Sequence, residues 1–133
     1  MPIVQMKTNY PMDHAAKTAF LGEMAATMAE LLKKPLPAVM VMLDDCTMYM
    51  NRSEETVFFG EFRYILPAEY ASDKSAFLAM FADTMLALIR KHTHVDPHRI
   101  YMQFTEMDRE SAWRYTEPAA VSVSAGAPEQ KAC

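Results

Sequence analysis

Cysteine and glycine are scarce in this chain of 133 residues, which contains two of the former and three of the latter. The two cysteines, Cys46 and Cys133, stand far apart and form no CxxC pair. A disulfide framework and a cysteine-based zinc site are therefore excluded, and the pattern is typical of a protein in a reducing compartment. We expect a cytoplasmic location, with export without a signal peptide left open.

Long apolar runs and a basic excess are also missing. No run approaches the roughly 20 apolar residues of a membrane span. The first ten residues, MPIVQMKTNY, lack the basic and apolar regions of a secretory signal. The formal net charge is −4, so no overall positive field attracts nucleic acid or anionic lipid. We therefore expect neither a membrane nor a nucleic acid among the partners.

Apolar residues make up 51% of the chain, which is enough for the core of one domain. Methionine occurs 13 times, and we interpret most of these residues as flexible filling of the core. Residues 1–116 are predicted to form the domain. Residues 117–133 are mostly small and polar, so we expect a disordered tail there. The alternative for this segment is an edge strand at Val121 and Val123.

Two segments have the three-and-four spacing of amphipathic helices. The first follows Asp13, a favourable N-cap, and should end near Lys33–Lys34 because Pro35 disfavours helix in the residue before it. The second begins after Ser72 or Asp73. The predicted buried faces are Phe20, Met24, Met28, Leu31 and Leu32 in the first helix and Phe77, Leu78, Phe81, Met85, Leu88 and Ile89 in the second.

Four segments are predicted as strands: residues 2–8, 39–43, 56–65 and 100–106. The apolar run over 39–43 is typical of a strand that is covered on both faces. A further short strand is expected over 47–50. In each half of the chain a helix runs into a proline, and a strand begins shortly after it.

The predicted elements form two successive β-α-β units, so the chain contains an internal structural repeat. Each unit should have parallel strands joined by a right-handed crossover. The predicted fold class is α/β (α+β), with a four-stranded mixed sheet and both helices on one face. The other face stays bare, with Val4, Met40 and Met42 or their neighbours open to water. Such a patch usually marks assembly, so we expect an oligomer.

Pro2 follows the initiator methionine and begins the first strand. Met1 is normally removed when the next residue is small, which would leave Pro2 as a terminal secondary amine. The pKa of an α-amino group lies near about 8, and burial or a nearby cation lowers it because the charged form is disfavoured. Such a base can remove a proton beside a carbonyl and return it elsewhere. Pro2 is therefore a candidate general base, although proline at this position is also common without such a role.

The chain carries a series of short stretches in a characteristic order. They are Pro2-Ile3-Val4, Thr8-Asn9-Tyr10-Pro11, Lys34-Pro35, Arg52-Ser53-Glu54, Asp96-Pro97-His98-Arg99-Ile100-Tyr101, Met107 and Trp113. With this order and spacing the chain resembles the tautomerase superfamily and, within it, the macrophage migration inhibitory factor and D-dopachrome tautomerase family. The resemblance covers about residues 2–115.

The resemblance implies a homotrimer with three active sites at subunit interfaces. Members of the family interconvert the keto and enol forms of small aromatic or α-keto acids, such as phenylpyruvate or dopachrome, with no metal and no cofactor. The N-terminal proline, here Pro2, is the base. The family's pocket lysine falls on Lys34, which would hold the substrate carboxylate. Its pocket tyrosine falls on Tyr101, which would come from the neighbouring subunit.

Further pocket residues follow from the same resemblance. The family's pocket asparagine falls on Gln103, and Trp113 matches an aromatic residue at the pocket mouth. The family's Ser-Ile-Gly segment is replaced by residues 62–66 (FRYIL), so Tyr64 or Ile65 would form the pocket wall. Arg63 could bring a second cation near the site.

Other departures leave the substrate open. The family's Trp-Asn-Gly ending is replaced by residues 113–116 (WRYT), which puts the edge contact between subunits in doubt. The CxxC of some members is absent at 56–59 (TVFF), so no thiol redox activity is expected. Several candidates have plainer interpretations: Lys34 could complement the helix dipole, as Lys33 would, and Arg63 and Arg114 could be solvated.

Three functions remain in view. The first is a cofactor-independent keto–enol tautomerase. The second is a superfamily decarboxylase or hydratase of small acids, which Arg63 would favour. The third is a cytokine-like binding protein with a vestigial site. The spacing of His92 and His94 would suit a pair of metal ligands. We do not predict a metal site there, because no third ligand stands at a suitable spacing.

Overall fold

Two β-α-β units follow one another along the chain. The structure is a computed structural model that describes residues 1–117, so the expected tail and the alternative strand at Val121 and Val123 lie outside the described residues. The elements are β1 (Ile3–Thr8), α1 (His14–Leu32), β2 (Met40–Asp45), β3 (Phe58–Tyr64), α2 (Lys74–His92) and β4 (Ile100–Glu106). Short 3-10 turns occupy Leu36–Ala38, Ala68–Tyr70 and Pro97–Arg99.

Both helices begin with the same device. The Asp13 carboxylate accepts a hydrogen bond from the backbone N–H of Ala16 at 2.8 Å, and the Asp73 carboxylate accepts one from Ala76 at 3.1 Å. Each aspartate satisfies a donor that has no partner inside its helix. The N-cap predicted at Asp13 is confirmed, and of the two candidates for the second helix the structure selects Asp73.

The end of α1 determines where the next residues point. Lys33 adopts the left-handed conformation with a φ of 56°, and the N–H of Lys34 donates to the carbonyl of Ala29 at 2.9 Å. This turn satisfies a terminal carbonyl and ends the helix at Leu32, one residue before the predicted end region. The two adjacent lysines therefore leave the helix in different directions.

The four strands form one mixed sheet in the order β2-β1-β3-β4. β1 runs parallel to β2 and β3 runs parallel to β4, whereas β1 and β3 are antiparallel. This confirms two parallel β-α-β units joined into a four-stranded mixed sheet. The core on the helix side combines both helices with the sheet: Val4, Met6, Phe20, Met24, Met28, Leu32, Phe58, Phe62, Phe77, Phe81, Met85 and Ile89.

The second face of the sheet carries no helix. Side chains alternate along a strand, so this bare face includes Ile3 of β1, Met40 of β2 and Tyr101 of β4. Met40 is 57% exposed, as predicted. Val4 is fully buried under the helices, so of the alternatives predicted for β1, Val4 or a neighbour, the structure places the neighbour Ile3 on the bare face. β2 is also an edge strand with one face bare, so the expectation that it is covered on both faces fails within the subunit.

No strand forms over residues 47–50, in contrast to the prediction. Met50 instead makes an isolated bridge with Ser53, with hydrogen bonds of 3.0 and 3.1 Å in the two directions. Asn51 and Arg52 have φ values of 51° and 61°, which closes a tight left-handed turn at this point. The pairing at this point is limited to that one bridge.

Candidate active site

Pro2 lies buried at the start of β1. Its carbonyl accepts a hydrogen bond from the N–H of Met40 at 3.1 Å, which fixes its backbone against the start of β2. Met1 precedes it in a half-buried position. The N-terminal end of β1 is therefore an ordered part of the sheet.

Lys34 follows the turn that ends α1 and lines the same cavity as Met1, the residue before Pro2. It is half-buried and makes no ion pair within residues 1–117. Lys33 points elsewhere and donates to the Glu69 carboxylate at 2.7 Å on the surface, which raises the pKa of Lys33 above its usual range. The structure thus separates the two lysines: Lys33 has an acidic partner and Lys34 faces a cavity.

A cavity of about 190 Å³ opens next to the start of β1. It is lined by Met1, Lys34, Pro35, Ala38, Ile65, Arg109 and Arg114. Three of these side chains are cationic, and no acidic side chain of the described residues lines the cavity. Its charge is therefore suited to an anion.

A second hollow of about 490 Å³ adjoins the first. Met1, Ala38 and Arg114 line both, and Trp113 and Met40 border the second. Met1 therefore stands between the two spaces. Trp113 is 66% exposed, so it forms an outer wall.

The two candidates for the pocket wall have different places. Tyr64 is in the core, where its ring lies 5.7 Å from that of Phe77 and 5.4 Å from that of Phe81 between centroids. Burial raises the pKa of the Tyr64 phenol. The prediction that Tyr64 lines the pocket is therefore corrected: strand alternation turns Tyr64 toward the helices, and Ile65 is the residue that lines the cavity.

Arg63 also does not line the cavity in the subunit. It lies on the bare face of β3, where it donates to the Glu61 carboxylate at 2.9 Å. This hydrogen bond lowers the pKa of Glu61. The cation expected from Arg63 comes instead from Arg109 and Arg114, and the interpretation of Arg114 as a solvated residue is wrong because it is half-buried against both hollows.

Tyr101 and Gln103 lie away from Pro2 within the subunit. Both are exposed on the bare face of β4, and Tyr101 is level with Phe59 and Lys7 across the sheet. Tyr101 lies two strand spacings across the sheet and four residues along β1 from Ile3. These offsets amount to a distance of about 16 Å. These two side chains can therefore reach a Pro2 cavity only in another subunit.

Arg109 was missed and Arg114 was interpreted as solvated because both lie in irregular chain after β4, where no periodicity predicts a direction. The N–H of Met107 donates to the carbonyl of Tyr64 at 2.6 Å and turns this segment across the end of β3. Ala112 is then buried, which brings Arg114 against the start of β1. Both arginines stand near Trp113 in the sequence, but this proximity does not determine where either side chain points.

A wider hollow of about 740 Å³ lies at the opposite end of β1. Its lining includes the acidic residues Asp13, Asp45 and Glu54. It contains no cation, and no group of three or more metal-ligating side chains occurs within residues 1–117. The smaller cationic cavity is the better candidate for a site, because it combines charge with a potential base.

His92 and His94 do not act together in the described structure. His92 lies 3.1 Å from the Glu23 carboxylate and stacks on Phe20 with centroids 5.0 Å apart, whereas His94 faces the ring of Tyr10.

Neither described helix is long and apolar enough to cross a bilayer.

Comparison with known proteins gives one consistent result. The family described as macrophage migration inhibitory factor matches residues 1–116 of the chain. No curated protein matches at a significant level.

Solved structures of similar proteins have the same fold. The macrophage migration inhibitory factor homologue of Prochlorococcus marinus is 20% identical, with a TM-score of 0.72 over 86% of this chain and 95% of that one. The protein of Giardia lamblia is 22% identical, with a TM-score of 0.66 over 79% and 98%. The protein of Toxoplasma gondii is 23% identical, with a TM-score of 0.64 over 80% and 90%. At these identities the likeness shows the fold.

Proposed function

Because this chain belongs to the macrophage migration inhibitory factor family of the tautomerase superfamily, we propose that it is a keto–enol tautomerase that uses the Pro2 amine as its base. One observation carries the proposal: Pro2 is buried at the head of a strand, and Met1, directly before it, lines a cavity together with three cations. Once Met1 is removed, a secondary amine would face that cavity.

The surroundings of Pro2 favour a neutral amine. Burial and nearby positive charges both disfavour the protonated form, so the pKa of the terminal amine should fall toward neutral pH. Lys34, Arg109 and Arg114 supply the charges. A neutral amine at physiological pH can act as a general base without a metal or a cofactor.

The substrate class follows from the lining. Lys34 would hold the carboxylate of an α-keto acid, while Ile65 and Trp113 would contact an apolar or aromatic side chain. Small aromatic or α-keto acids such as phenylpyruvate are therefore the proposed substrates. Met1 lines both hollows, so its removal would join them into one larger cavity.

The reaction needs only proton movement. The Pro2 nitrogen takes the proton from the carbon beside the ketone, and the electron pair of that C–H bond moves onto the carbonyl oxygen. The oxygen then takes a proton, and the enol leaves. The reverse sequence returns the proton from the Pro2 ammonium to carbon.

A homotrimer completes this proposal. Tyr101 and Gln103 are too far from Pro2 in their own subunit, so we assign them to the pocket of a neighbour, where they would donate to the substrate oxygen. The bare face of the sheet, with Met40 and Tyr101 exposed, supports assembly. A cytoplasmic location remains our prediction.

The test is the variant Pro2→Gly, prepared with the mature N-terminus verified by mass spectrometry. General-base catalysis contributes about 10²–10⁴-fold, so phenylpyruvate tautomerisation should fall at least about 100-fold while the circular dichroism spectrum stays the same. Turnover at the wild-type rate would overturn the proposal.

A second function is favoured by the two arginines that line the cavity. Decarboxylation or hydration of a small acid also develops negative charge that guanidinium groups stabilise. Malonate semialdehyde and haloacrylates can be screened with the wild type and with Arg114→Ala. Turnover that exceeds phenylpyruvate tautomerisation and depends on Arg114 would favour this function. A folded assembly that turns over no enolisable acid would favour a cytokine-like binding protein.

A further inference from the structure

The outward face of α2 carries little charge for a surface helix. Residues 75–89 contain a single charged side chain, Asp83. The other exposed residues of this stretch are small or apolar: Ser75, Ala76, Ala79, Met80 and Ala87. The outward face of a surface helix is ordinarily polar and charged, whereas the centre of a protein interface is depleted of charge. The composition of this face is therefore typical of a contact surface, and it lies on the opposite side of the subunit from the bare face of the sheet.

α1 extends this surface with small residues. Lys91 of α2 donates to the Glu23 carboxylate of α1 at 2.5 and 3.1 Å, which sets the level of the two helices relative to each other. Gly22 is exposed beside this pair. A Cβ at Gly22 would meet nothing within 4 Å in the described part of the subunit. Packing within the subunit therefore does not account for a glycine that weakens the middle of a helix.

Two opposite charges make the outward face of α2 complementary to itself. Asp83 and Arg90 are both exposed, and they point to the same side because seven residues make two helical turns. When a second α2 lies antiparallel on the first, Asp83 of each copy meets Arg90 of the other copy. The twofold axis of this arrangement passes beside Ala87 and relates two equal ion pairs.

The same twofold axis crosses α1 at an exposed alanine. Glu23 is level with Lys91, and Thr27 borders the same hollow as Thr84. Ala26 of α1 is therefore level with about residue 87 of α2, where the axis passes. The charges of α2 alone determine the axis, so an exposed alanine on both helices at the point of closest approach is an independent match.

Gly22 also has a reason in this arrangement. The axis at Ala26 places Gly22 of one copy opposite Glu30 of the other, because the two residues lie equally far from the axis on α1. Glu30 is exposed, and its side chain needs the space that the missing Cβ of Gly22 leaves.

We propose that this outward face, formed by residues 20–32 of α1 and 81–92 of α2, is a docking surface for a second copy of this chain. The copies stack helix on helix, and the Asp83–Arg90 pairs flank the axis. The overlap runs for about 18 Å along two helices about 10 Å apart, which gives roughly 400 Å² for each copy. A contact of this size is weak and reversible. It adds to the proposed trimer, whose contacts use the bare face of the sheet.

The experiment measures the mass of the full chain by sedimentation at about 1–100 μM, the range in which a weak contact becomes populated. The mass of the wild type should rise with concentration above that of the basal assembly, and added salt should reduce this rise. Asp83→Arg and Arg90→Asp should each weaken the association at least about tenfold, because two attractive pairs become two repulsive ones.

Reversal of both charges supplies the control. The double variant D83R/R90D has the net charge of the wild type and restores both pairs, so it should associate like the wild type. An equimolar mixture of the two single variants should also associate, although neither does so alone. Ala76→Arg adds a cation to α2 outside the overlap and should behave like the wild type. Circular dichroism checks that every variant is folded.

Each outcome decides the proposal. A wild-type mass that does not change with concentration overturns it. Association that the single reversals leave unchanged, or that neither the double variant nor the mixture restores, also overturns it. None of these results depends on catalysis, so the tautomerase proposal stands or falls separately with Pro2→Gly.

Discussion

The two halves of the repeat treat the same position in opposite ways. Each has a short 3-10 turn between its helix and its last strand, which ends at Ala38 in the first half and at Arg99 in the second. Two residues before the turn, the first half has Lys34, which is half-buried in a cavity, and the second has Val95, which is buried in the core. One position is open and cationic, and its counterpart is closed.

Arg99 shows how the second half is closed. Its guanidinium donates to the carbonyls of Met50, Ser53, Thr56 and Glu55, at 2.9, 3.3, 3.1 and 2.9 Å. It thereby holds the loop before β3 over the end of the sheet. In the first half, the space at the start of β1 is a cavity that Met1, Lys34 and Arg114 line. The comparison teaches that the two halves of a duplicated scaffold can use equivalent positions differently. In one half the space is a cavity that can hold a site, and in the other half a loop fills it and stabilises the fold.

The largest effect on stability is expected when the loop that Arg99 holds over the end of the sheet is released. In Arg99→Met, four carbonyls lose a charged donor inside a buried site, and we expect a loss of about 3 kcal/mol in the free energy of unfolding. Urea unfolding measures this change. The control Arg90→Ala, at an exposed position in the last turn of α2, should cost less than about 0.5 kcal/mol. Equal effects of the two substitutions would contradict the structural role of Arg99.

The reverse change closes the open half. Ala38→Leu places a larger side chain in the space that Lys34 and Ile65 line, so phenylpyruvate turnover should fall about 100-fold or more through lost positioning. Overpacking should cost about 1–3 kcal/mol in stability, which thermal unfolding will report. Ala68→Leu, in the exposed 3-10 turn before α2, is the matched control. Turnover within threefold of wild type in Ala38→Leu would show that this cavity is not the site.

A smaller effect separates the two adjacent lysines. Lys34→Ala should raise the KM for phenylpyruvate about tenfold, because a charge-assisted hydrogen bond to the substrate carboxylate is lost. Lys33→Ala removes only an exposed pair with Glu69, so its KM should stay within about twofold of wild type. Similar KM values for both variants would show that the turn at the end of α1 does not select Lys34.

The smallest effect concerns the start of the 3-10 turn Pro97–Arg99, which Asp96 caps. The Asp96 carboxylate accepts a hydrogen bond from the backbone N–H of His98 at 2.9 Å, which lowers the pKa of Asp96, whereas Pro35 stands before the corresponding turn in the first half. A lowered folded-state pKa contributes stability that is present above about pH 4 and is lost as the pH falls through the folded-state value. The difference in Tm between wild type and Asp96→Asn should therefore shrink between pH 7 and pH 3. A difference independent of pH would contradict this.

Much of the fold could be predicted from sequence because its signals are local. Asp13 was predicted as a cap, and the strand Ile100–Glu106 was predicted with the bounds that the structure has. Local signals did not determine which β1 side chains lie on the helix side of the sheet and which lie on the bare face, because apolar residues occur on both sides of that strand. The sequence therefore left Val4 and its neighbours as alternatives for the bare face, and only the pairing of β1 with β2 and β3 selects Ile3.

The candidate site could be predicted only in part, because its residues come from distant segments. Pro2 and Lys34 were found through the resemblance, and the structure brings them to one end of the sheet. Tyr64 and Ile65 could not be separated without knowing where the alternation of β3 ends. Arg109 lies in irregular chain whose path depends on a hydrogen bond between Met107 and Tyr64, so no pattern in the sequence predicts its position.

The most direct test of the central claim compares two samples of the same chain. One begins at Pro2 after removal of Met1, and the other retains Met1, with both masses verified before the assay. The account predicts phenylpyruvate tautomerisation by the trimmed protein and a rate at least about 100-fold lower in the untrimmed protein, where the proline nitrogen is an amide and cannot accept the proton. Equal rates in the two samples would contradict the assignment of the Pro2 amine as the base.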